Sequence, residues 1–211
     1  MLSTRSANLK LLKTNSMTER TPDRSETVPS LARSIVTGGM GFGIISLGVF
    51  ATVAFAEASM YRMFGLLGAY LTWTVLFILL SGAVFGQLAV VRWRLPSFYL
   101  LFGLAFFAYA AGWMVAYFTM RNAAGELVGS LAGSVSMALV FAAGFKRLSS
   151  TAKLSAVLFV SNCLGYFLGS ALNDSLDGRL GMLLWGVVYG LFFGAGIGGA
   201  LRFVQVDTKT A

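Results

Sequence analysis

The chain has 211 residues, of which 57% are hydrophobic and only 11% are charged. Soluble domains carry roughly a quarter charged residues, so this composition excludes an ordinary soluble protein and predicts a polytopic membrane protein. The sequence has no histidine and a single cysteine, Cys163, which excludes histidine-dependent metal sites, histidine-based triads and disulfides within the chain.

Residues 1–33 are polar and rich in Ser and Thr, and they lack the apolar core of a secretory signal. We interpret them as a disordered cytoplasmic tail. Two alternatives stay open for this segment. Residues 1–18 contain no acid, as in an organellar transit peptide, and Met17 offers a second start of translation besides Met1.

Six long uncharged segments follow, and the charged residues lie in narrow clusters between them. About 20 helical residues cross a bilayer core of about 30 Å, so each segment is long enough, or nearly so, to span a membrane. The predicted transmembrane helices are 34–56, 63–91, 95–120, 127–145, 154–173 and 180–201. They define an all-α polytopic integral membrane protein, with a six-helix bundle over 34–203 and a C-terminal tail at 204–211. The short connections between them predict antiparallel hairpins.

Basic residues are divided unequally between the two ends of the predicted helices. Thirteen lysines and arginines flank one end, whereas Arg62, Arg121 and Arg179 flank the other. The positive-inside rule places the thirteen in the cytoplasm, so both termini are predicted to lie inside. We expect the cell inner (plasma) membrane, with an organellar inner membrane as the alternative. The basic clusters are expected to meet lipid headgroups of the bilayer, and they do not form the single basic face that nucleic-acid binding requires.

Glycine recurs at every fourth position in two predicted helices. These glycines are Gly125, Gly129 and Gly133 in the fourth helix and Gly186, Gly190, Gly194 and Gly198 in the sixth. Small residues allow close backbone approach in lipid, where apolar burial does not drive helices together. We therefore interpret them as helix-packing positions, with the sixth helix against the first or the fourth. The alternative is that the sixth helix forms the wall of a pore, or an interface in a homo-oligomer or a larger membrane complex.

The fifth predicted helix carries the clearest polar set within the membrane region. Asn162, Tyr166 and Asn173 fall on one face, and Ser155 extends that face towards the inner end. Amide and hydroxyl groups in a bilayer need hydrogen-bond partners or a hydrated cavity. This pattern predicts a polar path for a solute along the helix, and hydrogen bonds between helices are the structural alternative.

Aromatic residues and one acid complete the candidates. Tyr109 and Trp113 lie one turn apart on the third predicted helix, and with Tyr189 they are candidates to line a cavity or to fill the core. Glu57 follows the apolar run of the first predicted helix and is a candidate ion or proton site, unless it pairs with Arg62. Other aromatic residues near the predicted helix ends are typical of an interfacial belt; they are Tyr61, Trp93, Tyr99, Tyr117 and Trp185.

The sequence shows no catalytic constellation, metal-ligand cluster or phosphate-binding loop. We therefore expect a non-enzymatic transport or permeation component for a small neutral solute, with no metal or cofactor. The alternative is a structural or assembly subunit that packs within a larger membrane complex.

Overall fold

The computed structural model describes residues 28–89, 95–176 and 178–206. Five α-helices account for nearly all of them. They are α1 (Leu31–Gly86), α2 (Leu95–Met120), α3 (Ala123–Gly144), α4 (Thr151–Leu176) and α5 (Gly178–Val206), with a 3-10 turn at Leu148–Ser150 before α4. All five are long and apolar enough to cross a membrane, which confirms the all-helical membrane class.

The predicted N-terminal tail falls outside the described residues up to position 27, and so do both proposed translation starts. Residues 207–211 of the predicted C-terminal tail also fall outside them. The Ser30 hydroxyl accepts a hydrogen bond of 3.2 Å from the backbone N–H of Arg33, so α1 begins three residues earlier than predicted. At the other end of the chain, α5 continues to Val206 rather than ending at 201.

The first helix departs most from the prediction. Separate helices were expected at 34–56 and 63–91, whereas α1 is one element of 56 residues that continues through 57–62. Glutamate, alanine and methionine in this stretch favour a helix, so nothing there ends it. The interruption comes at Gly65, whose φ of 67° and ψ of 178° are not helical. That conformation is almost restricted to glycine, and Gly65 is the first glycine after Gly48.

Residues on the two sides of Gly65 pack against each other. The rings of Phe42 and Phe77 stack with centroids 5.2 Å apart. Trp73 Nε1 donates a hydrogen bond of 3.1 Å to Thr52 Oγ1. Residues in the first part of 31–64 thus contact residues in the last part of 66–86. The arms of α1, 31–64 and 66–86, therefore run side by side in opposite directions.

Two other connections are tighter than the sequence suggested. Arg121 and Asn122 alone join α2 to α3, where a loop at 121–126 was predicted. The Asn122 side chain accepts a hydrogen bond of 2.9 Å from the Gly125 N–H, and this cap starts α3 four residues early. Between α4 and α5, Gly178 adopts a φ of 66°, so the chain turns at a glycine again.

The helices are arranged so that each packs on its neighbours around a closed circuit, from α1 through α2, α3 and α4 to α5 and back to α1. We call the end that carries Gly65, Arg121 and Gly178 the cavity end, and the opposite end the closed end. Large apolar side chains fill the core at the closed end and are fully buried; they are Phe42, Phe85, Phe98, Phe102, Phe141, Phe193, Ile197 and Leu201.

Candidate functional site

A cavity of about 360 Å³ lies inside the bundle and is lined by residues of all five helices. Twelve of its twenty lining residues are aromatic and none is a lysine or an arginine, so its walls combine π-faces with polar ring atoms. Nine of them carry a hydroxyl or indole N–H; they are Tyr61, Tyr70, Tyr109, Tyr117, Tyr166, Tyr189, Trp73, Trp113 and Trp185. The volume lies in the range of small-molecule sites.

The cavity extends from the cavity end to the middle of the bundle. On α2, its lining begins at Tyr117, one turn from the helix end, and reaches Phe106, which at 1.5 Å per residue is about 16 Å deeper. Exposure falls along the same direction. Glu57 is exposed, whereas Tyr109 and Tyr189 are 6% and 7% exposed. The space is therefore accessible from one end and narrows into the core.

Aromatic packing closes the deep end of the cavity. Phe77 and Phe106 line the space and lie 5.6 Å apart between ring centroids. Phe42 lies 5.2 Å from the first and 6.0 Å from the second, and it is fully buried. The Phe193 ring packs edge-on against Phe42 at 6.0 Å. These rings separate the cavity from the closed end.

Three polar side chains meet beside this aromatic floor. The Tyr109 hydroxyl donates a hydrogen bond of 2.6 Å to Asn162 Oδ1, and the Tyr109 and Tyr189 hydroxyl oxygens are 3.3 Å apart. Because the Tyr109 proton is directed at Asn162, the Tyr189 hydroxyl is the donor in the second pair. Asn162 is fully buried, and its Nδ2 has no partner among the described residues.

The walls of the cavity contain indole groups in two different situations. Trp73 is bonded to Thr52, whereas Nε1 of Trp113 and Nε1 of Trp185 are buried without an acceptor in the described part of the chain. The Tyr166 ring lies between these two tryptophans, with centroids 6.0 Å from the former and 5.4 Å from the latter. Two indole donors of the wall residues are thus left without a hydrogen-bond acceptor in the described part of the chain.

Glycines of α3 stand directly behind two cavity residues of α2. A Cβ built on Gly129 would lie 2.9 Å from the carbonyl oxygen of Trp113. A Cβ built on Gly133 would lie 2.8 Å from the carbonyl oxygen of Tyr109. Gly125 is similarly close to Met120 near the helix ends. The small residues let α3 approach α2 so closely that these two rings are held against the cavity.

Glycines of α4 do the same for α5. A Cβ on Gly165 would lie 2.9 Å from the Tyr189 carbonyl oxygen, and one on Gly169 would meet the Trp185 ring. Each of these glycines therefore has an aromatic cavity residue opposite it.

The four-residue glycine stripe of α5 faces α1. A Cβ on Gly190 would lie 2.6 Å from both Gly43 Cα and Ser46 Cβ. The other stripe glycines are equally tight against this arm, with Gly186 at Phe50, Gly194 at Gly38 and Gly198 at Ser34. The stripe was expected to pack on either the first or the fourth predicted helix, and it packs on the first, which is the 31–64 part of α1.

The candidate residues from the sequence are distributed unevenly around the cavity. Five of them line it, namely Glu57, Tyr109, Trp113, Tyr166 and Tyr189, while Asn162 contacts it through Tyr109. Ser155 and Asn173 do not line it. Asn173 is covered by Gly181 in the first turn of α5, and Ser155 lies on the closed-end side of Asn162. The polar face of α4 is thus used over a shorter length than predicted.

Sequence reasoning missed the largest contribution to the cavity, which comes from α1. Tyr61, Tyr70 and Trp73 line it from the two sides of Gly65. Tyr61, Tyr117 and Trp185 had been interpreted as part of an interfacial belt, but they face inward. The available signal was collective, since six of the seven tyrosines of the chain line this one cavity.

Two carboxylates provide the only formal charges in the cavity lining, Glu57 from α1 and Glu126 from the first turn of α3. Neither forms an ion pair within the described ranges, and Glu57 lies close to the side chain of Tyr61. Among residues 28–89, 95–176 and 178–206, no group of three Cys, Asp or Glu side chains is placed to hold a metal ion.

The arginines of the cavity end have other partners. Arg62 donates to the Ser59 hydroxyl at 3.3 Å, so the predicted pairing of Arg62 with Glu57 is not formed. Arg121 donates to the carbonyl oxygen of Phe118 at 3.3 Å. The Arg179 guanidinium lies 4.9 Å from the centroid of the Phe55 ring. In the described part of the chain, none of these arginines forms an ion pair with a carboxylate of the cavity.

No protein-family model, curated protein or solved structure matches the chain.

Proposed function

We propose that the protein is a non-enzymatic transport or permeation component whose cavity receives a small solute from one face of the membrane. One observation carries this proposal: the cavity reaches from the helix ends to the middle of the bundle, and residues with polar side-chain groups line it. Protein interiors are normally close-packed, and voids cost stability. A water-accessible space built by all five helices is therefore best explained by a solute that enters it.

We further propose six membrane crossings, with both termini in the cytoplasm. In this arrangement α1 crosses twice, and Gly65 lies at the outer surface. The antiparallel packing of its two arms supports the arrangement. So does the sequence, in which thirteen lysines and arginines flank one end of the apolar segments and three flank the other. The cavity then opens to the outside of the cell inner (plasma) membrane, and the aromatic floor is the barrier that must move for a solute to cross.

The alternative function, an assembly subunit, has less support. It requires a free small-residue surface for a partner, but the glycine stripe of α5 is covered by α1. The outward-facing side chains are instead large and apolar, for example Ile44 at 69% and Leu100 at 75% exposure. Such a surface suits lipid.

Flux into liposomes tests the proposed function. Ala110 lines the cavity on α2 and is 9% exposed, so Ala110→Trp fills the space. Leu100→Trp adds a tryptophan to the lipid-facing side of the same helix and is the matched control. We expect protein-dependent uptake of small solutes that Ala110→Trp abolishes and Leu100→Trp preserves. Equal uptake by liposomes with and without protein, or no loss in Ala110→Trp, would contradict the proposal.

A further inference from the structure

We propose that the cavity binds a lipophilic organic cation of the quaternary ammonium or phosphonium type. The inference rests on the proposed function, since it names the class of solute. It replaces the neutral solute expected from the sequence, because the charges and rings that meet in the cavity were not apparent from the order of residues along the chain.

The aromatic rings that line the cavity favour a cation. Aromatic faces carry partial negative charge and attract cations that lie within about 6 Å of the ring centroid. One run of rings in contact passes from Trp113 through Tyr166 and Trp185 to Phe50, with successive centroids 5.4 to 6.0 Å apart. A second group on α1 joins Tyr61, Trp73 and Tyr70. Both groups line the same space, so a cation in it meets π-faces from several helices.

The formal charges of the cavity lining also favour a cation. Glu57 and Glu126 line the cavity, and no lysine or arginine of the described residues does. The three arginines of the cavity end are held by Ser59, Phe118 and Phe55. A bound anion would meet two carboxylates that form no ion pair among the described residues, whereas a cation would gain two counter-charges.

The cavity lining fits an organic cation better than a metal ion. Two carboxylates and a wall of rings do not supply the six or more oxygen ligands that hard metal cations take, and the space is much larger than such an ion. The rest of the wall is apolar and adaptable; it includes Val49, Val53, Met114 and Met182. A cation that carries apolar substituents matches both parts of this lining.

The experiment compares two probes of nearly the same shape and opposite charge. Purified full-length protein in detergent is dialysed to equilibrium against tetraphenylphosphonium or tetraphenylborate, and binding to protein-free micelles is subtracted. We expect saturable binding of the phosphonium, quenching of tryptophan fluorescence, and no saturable binding of the borate. Equal or tighter binding of the borate would overturn the proposal.

Variants assign the binding to this cavity. Glu57→Gln and Glu126→Gln should each weaken phosphonium binding on the order of tenfold, the equivalent of one lost favourable charge contact. Trp185→Leu should weaken it similarly, and Trp185→Phe should weaken it less. Asp174→Asn removes an exposed carboxylate from the same end that does not line the cavity, and it should bind as the parent does. Unchanged binding in both glutamine variants, shown to be folded by size-exclusion chromatography and circular dichroism, would refute the proposal.

Failure of the cation site and failure of the proposed transport function would give different results. Charge-selective binding that depends on the glutamates, without uptake into liposomes, upholds the cation site and overturns the transport function. Uptake of neutral solutes that Ala110→Trp abolishes, without phosphonium binding, upholds transport and overturns the cation site.

Discussion

At the scale of single residues, the floor of the cavity depends on one buried hydrogen bond between α2 and α4. The Tyr109 hydroxyl and Asn162 Oδ1 are 2.6 Å apart, and both side chains are shielded from water. Replacing Tyr109 with phenylalanine leaves Asn162 Oδ1 without this donor, and replacing Asn162 leaves the Tyr109 hydroxyl with only its longer contact to Tyr189. Each loss costs about 1–3 kcal/mol, whereas removing both groups can be nearly neutral. The pair therefore couples two helices whose positions define the depth of the cavity.

We predict that Asn162→Leu and Tyr109→Phe each lower the free energy of unfolding by about 1–3 kcal/mol, and that the double variant loses less than the sum. Thermal unfolding in detergent, followed by circular dichroism, measures this. Strictly additive losses would mean that the two side chains do not interact.

The residue scale also shows where sequence reasoning reaches its limit. The helical period was enough to place Asn162 and Tyr166 on the inner face of α4. It identified neither Trp73 nor Glu126 as cavity residues, because the period of one helix says nothing about which helix lies opposite. Glu126 was also assigned to the edge of a loop, and only the Asn122 cap brings it into α3.

At the scale of the elements, glycine acts in two distinct ways. Gly65 has open space where a Cβ would be, so it is needed for its backbone conformation, with a φ of 67°. The stripe glycines of α5 have helical backbones and are needed because α1 occupies the space of a side chain. The four-residue spacing predicted the second role from the sequence. The first was missed, since helix-forming residues continue through the expected loop and only the backbone angles reveal the turn.

We predict that Gly65→Ala lowers the free energy of unfolding by about 1–3 kcal/mol, the usual cost of forcing a residue other than glycine into such a conformation. Gly48→Ala is the matched control, since Gly48 is helical and also has open space around its Cβ position. It should be neutral or slightly stabilising. Thermal unfolding that is equally affected by both changes would show that the turn does not depend on the Gly65 backbone.

For the stripe, we expect Gly190→Leu to force α5 away from Gly43 and Ser46, and therefore to lower the melting temperature and the yield of folded protein. Gly199→Ala, on the same helix with open space at its Cβ, should leave both unchanged. If the leucine variant had normal stability, α1 and α5 would not be in close contact at Gly190.

At the scale of the whole molecule, the bundle is asymmetric along its length. Large buried side chains fill the closed end, while the cavity end is lined by rings and two carboxylates. The sequence predicted the all-helical class and the long apolar spans from its composition and from the distribution of charged residues along the chain. It could not predict the cavity, because a cavity depends on how all five helices meet rather than on the pattern within any one of them.

The central claim is that this cavity opens to the outer face of the membrane and prefers cations. In a Cys163→Ala background, Thr74→Cys places one thiol in the cavity lining, and Ala142→Cys places one in the closed end as a control. Intact cells are treated from outside with two membrane-impermeant methanethiosulfonates, one carrying trimethylammonium and the other sulfonate. We predict that the cationic reagent modifies Thr74→Cys at least about tenfold faster than the anionic one, and that neither modifies Ala142→Cys. Modification of Thr74→Cys only from the cytoplasmic side, or a faster reaction with the anionic reagent, would contradict the account.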